Sequence, residues 1–303
     1  MTFIGTLKNI GYLALFILLL PLIPLITGGI QKFYNRYVDP RAQVGVLPIK
    51  GVLYDSGYYT KQLHTFFKDT HIKAILLKIE CPGSATGTGQ AIYNELITLK
   101  KQYPKPVIVL VENLCASGGY YIACGADHII ASPMALIGSI GVAAPYLFKL
   151  KDFVEQFKIK YIPLTAGEYK NTTNPFADLT DAQKEMLQGV LDDSYEQFIT
   201  DVAHSRNLDQ TKAKEYGEGR IFSGRQALAL GLIDQLGSSS QAIQTIKEKA
   251  NIETEIKWVH APSKTGFWAL FGKESDEEQS VFSACAHEFC TILESRYLRM
   301  ALG

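Results

Sequence analysis

Apolar positions recur in three ways along the 303-residue chain, and each predicts a different kind of element. The first is an unbroken run. Residues 11–29, GYLALFILLLPLIPLITGG, carry no charge. As a helix they would rise about 28 Å, close to the hydrocarbon thickness of a bilayer. Pro21 and Pro24 kink such a helix but are tolerated in lipid. The run enters Gly28, Gly29 and Ile30 without a small-x-small cleavage site, so residues 1–30 are expected to be an uncleaved single-pass anchor rather than a removed signal peptide or a buried hairpin-like segment.

The second kind is short and rich in β-branched residues: 44–51 (VGVLPIKG), 72–80 (IKAILLKIE), 106–112 (PVIVLVE) and 128–131 (HIIA). The third has helical spacing. It covers residues 61–69, then 88–102 through Ile92, Leu96 and Leu99, then 120–127, 180–205 and 239–250. Thr180 is placed to cap the long helix, with Asp181 at its positive end. Strand, glycine-bearing break, helix and strand follow in turn, which is the grammar of βαβ units, and the continuous hydrophobicity of the strands predicts a mostly parallel sheet with flanking helices. Residues 224–237 read as a short helix, an Ile-containing strand and a stop, and a further strand is expected to end near Leu164.

This pattern divides the chain into an anchor (1–30), a polar connector (31–43), one α/β domain (44–250) and a C-terminal extension (251–303). The extension reads less clearly, as a strand followed by amphipathic helices. Its cluster Phe267, Trp268, Leu270 and Phe271 suits packing within the chain, a membrane surface or another subunit.

Charge changes the picture little. Thirty basic and thirty acidic residues balance, which gives no reason to expect a nucleic-acid partner. Lys8 precedes the apolar run while Lys32, Arg36 and Arg41 follow it, so the positive-inside rule would put the large domain in the cytoplasm. The five cysteines, Cys81, Cys115, Cys124, Cys285 and Cys290, are scattered, and a chain of this length needs no disulfide scaffold. Cys285, His287 and Cys290 lack a partner pair at metal-binding spacing, so no metal and no cofactor is expected.

Candidate chemistry concentrates in residues 111–127, VENLCASGGYYIACGAD. Ser117 follows a strand and precedes a helix, with Gly118 and Gly119 permitting a tight turn, so its hydroxyl can project beside amides that face a developing negative charge. A small residue at a crowded turn would give the same local pattern. A serine nucleophile needs a base. None of the six histidines lies in a catalytic motif, although folding can bring a distant histidine to the serine, and a desolvated lysine is the other activator to consider. Lys170, in PLTAGEYKNTTNPF, is the best placed, with Gly167 allowing an irregular approach and Tyr169, Pro175 and Phe176 able to shield the amine. An ordinary surface lysine is the alternative. Ser139, in IGSIGV, can either hydrogen-bond that amine or stabilise a turn, and Pro82-Gly83 can present an oxyanion amide.

The ordered set of motifs resembles the signal peptide peptidase A (protease IV) family of membrane serine peptidases, in its short single-unit form. The resemblance runs from about Gly45 to Gly237 through ENLCASGGYYIACGAD, GSIGV, the GEYK that carries Lys170, and EGRIFSGRQALALGLIDQLG. It implies a ClpP/crotonase-like fold, Ser117 as nucleophile and Lys170 as general base. It further implies Ser139 as the residue that orients the lysine, and the Gly83 and Gly118 amides as oxyanion donors. Pro82-Gly83-Ser84 departs from the two glycines that often follow the proline in the family. The family also implies homo-oligomeric rings with composite or enclosed grooves, a lipid bilayer as partner and apolar peptide substrates such as released signal peptides. It puts the catalytic domain outside the cytoplasm of a bacterial membrane, against the charge rule. The rival readings are a peptidase dedicated to one membrane protein, a catalytically silent scaffold and a crotonase-like acyl-CoA enzyme.

Overall fold

The computed structural model describes residues 41–144 and 147–262. The expected anchor over 11–29 and the cluster at 267–271 lie outside the described residues, as do Cys285, His287 and Cys290. Among the described residues no helix is long and apolar enough to cross a membrane.

The chain runs β1 (Ala42–Lys50), α1 (Gly57–Lys68), β2 (Ile72–Glu80), α2 (Thr86–Gln102), β3 (Val107–Val111), β4 (Leu114–Ala116) and α3 (Gly118–Cys124). It continues through β5 (His128–Ala131), β6 (Leu136–Gly138), α4 (Lys151–Gln156), α5 (Asp181–Arg206), α6 (Gln210–Tyr216) and β7 (Ile221–Ser223). The last elements are α7 (Gly224–Ala229), β8 (Gln235–Leu236), α8 (Ser239–Ala250) and β9 (Ile256–His260). Six strands form one sheet in the order β8-β5-β3-β2-β1-β9, with every neighbouring pair parallel. The expected α/β class with a parallel sheet is therefore observed. Residues 256–260, at the start of the expected extension, are the edge strand beside β1.

Alternation along the strands divides the core into two faces. Leu47, Ile49, Ile75, Leu77, Val107 and Val109 belong to the larger cluster, together with buried side chains of α1, α2 and α3. Val44, Ala74, Leu76, Ile108 and Leu110 form the other cluster with Ala242 and Ile246 of α8. Each fully buried valine, leucine or isoleucine among them contributes about 1.5–3 kcal/mol. All five residues of β3 are buried because both its faces are covered. Gly45 is required by packing: a Cβ there would stand 2.8 Å from the Phe66 ring.

Three short strands make a second sheet in the order β4-β6-β7. β4 and β6 run parallel, and β6 and β7 antiparallel. This sheet carries the chain across the ends of β2 and β3. Cys81 N–H donates to Leu114 O at 3.0 Å, and Ala116 N–H donates to Cys81 O at 3.0 Å.

The cap expected at Thr180 is present and reciprocal. Its hydroxyl accepts from Gln183 N–H at 3.2 Å, and the Gln183 side chain accepts from Thr180 N–H at 3.1 Å. At 26 residues α5 spans about 39 Å. Only its C-terminal half, through Phe198, Ile199 and Val202, packs in the core. Its N-terminal half carries a strap of residues 147–179, held in part by a Gln183 side-chain hydrogen bond to Glu168 O at 3.5 Å. The strand expected to end near Leu164 is absent: residues 158–165 are irregular, and Ile162 and Leu164 are 78% and 93% exposed. Among the described residues these side chains cover no sheet, so the strand pattern is not realised there.

The segment GLID has a structural role. Gly231, at φ 75°, turns the chain so that Leu232 and Ile233 enter the core and Asp234 meets Arg206. Asp234 accepts two hydrogen bonds from that guanidinium, at 2.8 and 3.0 Å, and one from Ile129 N–H at 2.7 Å. Burial pushes its carboxyl up, but Arg206 and the Ile129 amide outweigh this and hold it below the usual range. A depressed carboxylate contributes stability that is complete above its unfolded pKa, about 3.9, and is lost as pH falls through the lower folded value. Asp234→Asn is expected to cost about 2–3 kcal/mol at pH 7, discounted for partial exposure from the cost of breaking a buried pair. The deficit should narrow as pH falls below about 4 and through the lower folded value, as urea titrations of both proteins would report.

Candidate active site

Ser117 is the residue between β4 and α3, and its backbone is held at φ 51°, ψ −126°. Its amide donates to Gly138 O at 2.8 Å, and its own carbonyl accepts from Tyr121 N–H at 2.9 Å. The side chain makes no capping bond to α3, which leaves the half-buried hydroxyl free of a structural duty there. Ser139 is likewise held at φ 50°, pinned by its N–H to Arg220 O at 2.7 Å. Two serines with positive φ near one cavity represent strain of about 1–3 kcal/mol each, and strain of this kind clusters at functional sites.

Gly83 comes alongside Ser117 because Cys81 and Cys115 pair as a parallel bridge. A Cβ built on Gly83 would lie 3.3 Å from Ser117 Cβ and 3.5 Å from its Oγ. The Gly83 carbonyl is turned away and engaged, accepting from Leu53 N–H at 3.1 Å and from the Cys81 thiol at 3.1 Å. Among the described residues no backbone acceptor takes the Gly83 N–H. Gly118 opens α3, where the first amides have no partner within the helix. Two amides thus lie near the Ser117 hydroxyl.

The glycines of ASGG are packing requirements. A Cβ on Gly118 would stand 2.0 Å from Ser84 Oγ and 2.8 Å from Ser84 N, and one on Gly119 would stand 2.8 Å from Cys81 O. Gly118→Ala must therefore displace the 83–84 turn. We expect it to cost about 2–4 kcal/mol and at least about a hundredfold in kcat. Gly87→Ala, where a Cβ meets nothing within 4 Å, is the matched control for thermal melts and rates.

Ser117 borders two cavities. One, of about 170 Å³, is lined in part by Ser84, Thr86, Tyr121 and Phe198, the last two stacked with centroids 4.3 Å apart. Tyr121 donates a short hydrogen bond to Asp201 on α5. The other, of about 360 Å³, joins Ser117 to Ser139, Tyr195 and Glu218. Among the described residues no histidine lines either cavity; His64 pairs with Glu95 at 2.8 Å and His128 with Gln235 at 3.1 Å. Cys81, Cys115 and Cys124 are buried free thiols, and burial above all pushes each upward, Cys124 to about 12, so they are poor nucleophiles at neutral pH. Among the described residues no cluster could hold a metal ion.

Of the residues singled out in the sequence, Ser117, Gly83, Gly118 and Ser139 come together. Lys170 is not among the residues that line either cavity beside Ser117. It is exposed on the strap, in a turn after Gly167 (φ 103°) where its N–H meets Gly167 O at 3.2 Å. Sequence reasoning gave no role to Ser84, Tyr195 or Glu218. Only the EGR segment around Glu218 offered a signal.

A strained serine at a strand-to-helix junction, with glycine amides beside it on an α/β scaffold, is an arrangement that can support acyl transfer. The particular assignment follows from comparison with known proteins: peptidase family S49 matches residues 99–253, and the chain belongs to that family, which includes signal peptide peptidase A and protease IV. A protease-named protein of Methanocaldococcus jannaschii is 32% identical over 216 residues, 71% of this chain and 68% of the relative. One from Synechocystis is 37% identical over 182 residues, 60% of this chain and 65% of the relative. A protein of Enterococcus faecium named for signal peptide peptidase A is 29% identical over 290 residues, 88% of this chain and 84% of the relative. The chain spans about two thirds of the length of the first two. Family membership supports protease activity in general.

Proposed function

We propose that the chain is a membrane-anchored serine endopeptidase of ClpP/crotonase-like fold that cleaves extended apolar peptides, released signal peptides among them, on the extracytoplasmic side. The observation that carries this reading is the Ser117 hydroxyl, strained and uncapped, within reach of Gly83 and Gly118. Neutral Lys170 takes the Ser117 proton as Oγ attacks the peptide carbonyl, and the two glycine amides stabilise the oxyanion. The lysine ammonium returns the proton to the leaving amine. Water then hydrolyses the acyl-enzyme, with the same lysine as base.

Because Lys170 lines neither Ser117 cavity of its own chain, we assign it to the site of a neighbouring copy. Support comes from the strap that bears it, whose Phe148, Phe153, Phe157, Ile162 and Leu164 are all more than half exposed. Apolar surface on that scale suits a subunit interface. The composite grooves of the resembled family point the same way.

A mechanism-based serine probe with intact-mass detection tests the nucleophile. One adduct per chain is expected in the wild type and none in Ser117→Ala, and labelling of the variant at the wild-type rate would refute it.

A further inference from the structure

We propose that Glu218 is a positioning residue for the catalytic lysine, its carboxylate receiving the Lys170 ammonium in the cavity that Ser117 and Ser139 share. The proposal rests on the reading of Lys170 as the base.

The turn that bears Glu218 is built onto the site. Ser139 N–H donates to Arg220 O at 2.7 Å, and Gly219 N–H donates to Ile140 O at 2.9 Å. Gly219 takes φ 72°, and a Cβ on Gly141 would already touch the Gly219 Cα at 3.4 Å. The strained Ser139 segment and the 217–220 turn are thus stitched together, and Glu218 lines the Ser117 cavity because of this.

Arg220 on the same turn places its guanidinium 3.7 Å from the carboxylate, with both side chains more than half exposed, so the pair is weak and the acid can take a second cation. Across the cavity, Tyr195 of α5 feels Glu218, Glu196 and Lys214, and Lys214 of α6 is already paired with Glu196 at 2.6 Å. The field of Glu218 reaches the cavity wall: after burial, it is the largest influence raising the Tyr195 phenol. An amine entering from solvent beside Ser139 therefore meets one carboxylate that is only loosely paired.

Such a carboxylate orients the incoming amine but favours its protonated form, whereas a general base must be neutral. Arg220 opposes that effect. Glu218→Gln is accordingly expected to move the acid limb of kcat/KM to lower pH by about half a unit to one unit. It should also lower the alkaline plateau about tenfold through lost orientation. Arg220→Gln should move the limb to higher pH, and Glu218→Asp should bring the limb back towards the wild-type position.

Full pH profiles of the full-length protein and these variants on a quenched apolar peptide, with Lys170→Ala alongside, test the proposal. A limb that stays at the wild-type pH in Glu218→Gln, or moves upward, overturns the role of Glu218 while an inactive Lys170→Ala leaves the base reading standing. Full activity in Lys170→Ala would overturn the base reading itself. Both exposed side chains can be replaced without entering the core, and thermal melts would verify folding.

Discussion

Ser117→Ala is expected to lower kcat/KM on an apolar peptide by about ten-thousandfold while leaving the thermal midpoint within a few degrees of wild type. The loss follows from removing the attacking oxygen; what remains is the contribution of the oxyanion amides and substrate binding. The stability half follows from the local geometry. The hydroxyl makes no capping bond, so its removal leaves no helix amide newly unsatisfied. Alanine meets the same strain as serine at φ 51°. Ser117→Gly should relieve that strain and raise stability by about 1 kcal/mol, though it is equally inactive. Opposite movements of rate and stability at one residue would mark it as held for chemistry rather than packing. Initial rates and melts of the three proteins decide it, and full cleavage by Ser117→Ala would sink the mechanism.

How legible these features are in the sequence depends on how local their causes are. Residues 72–80, 128–131 and 239–250 are observed with the expected boundaries because apolar runs and caps are written within the segment. The second sheet is not legible. Its strands have three residues each, and β6 is recognisable only through β4 and β7, which lie far from it in sequence. The strap misleads for the reverse reason. Ile159, Tyr161, Ile162 and Leu164 carry a strand's composition, but among the described residues no strand pairs with them. At the site, Gly83, Ser117, Gly118 and Ser139 are legible because tight approach and positive φ demand glycine or a small residue. Glu218 is chemically ordinary, and only the turn that folds onto Ser139 gives it a function. Lys170 is proposed from its motif alone, and its place is not legible, since it depends on what the strap packs against.

That dependence supplies the other large effect. Ser117→Ala and Lys170→Ala chains, each inactive alone, are expected to recover about one quarter of wild-type activity when co-assembled in equal amounts. In a ring with heterologous contacts each site draws its serine from one chain and its lysine from the next, and random placement pairs an intact serine with an intact lysine at one interface in four. A dyad closed within one chain predicts no recovery, because every chain in the mixture lacks one member. The exposed position of Lys170 and the apolar strap around it favour the first arrangement. Co-expressed, differently tagged chains purified through both tags provide the sample, and light scattering verifies that parents and mixture share one assembly. Recovery near a quarter establishes a base supplied by the neighbour. An inactive mixture in wild-type assemblies would instead require the strap to fold back onto its own Ser117, and the exposed apolar side chains would then belong to a moving arm rather than to an interface.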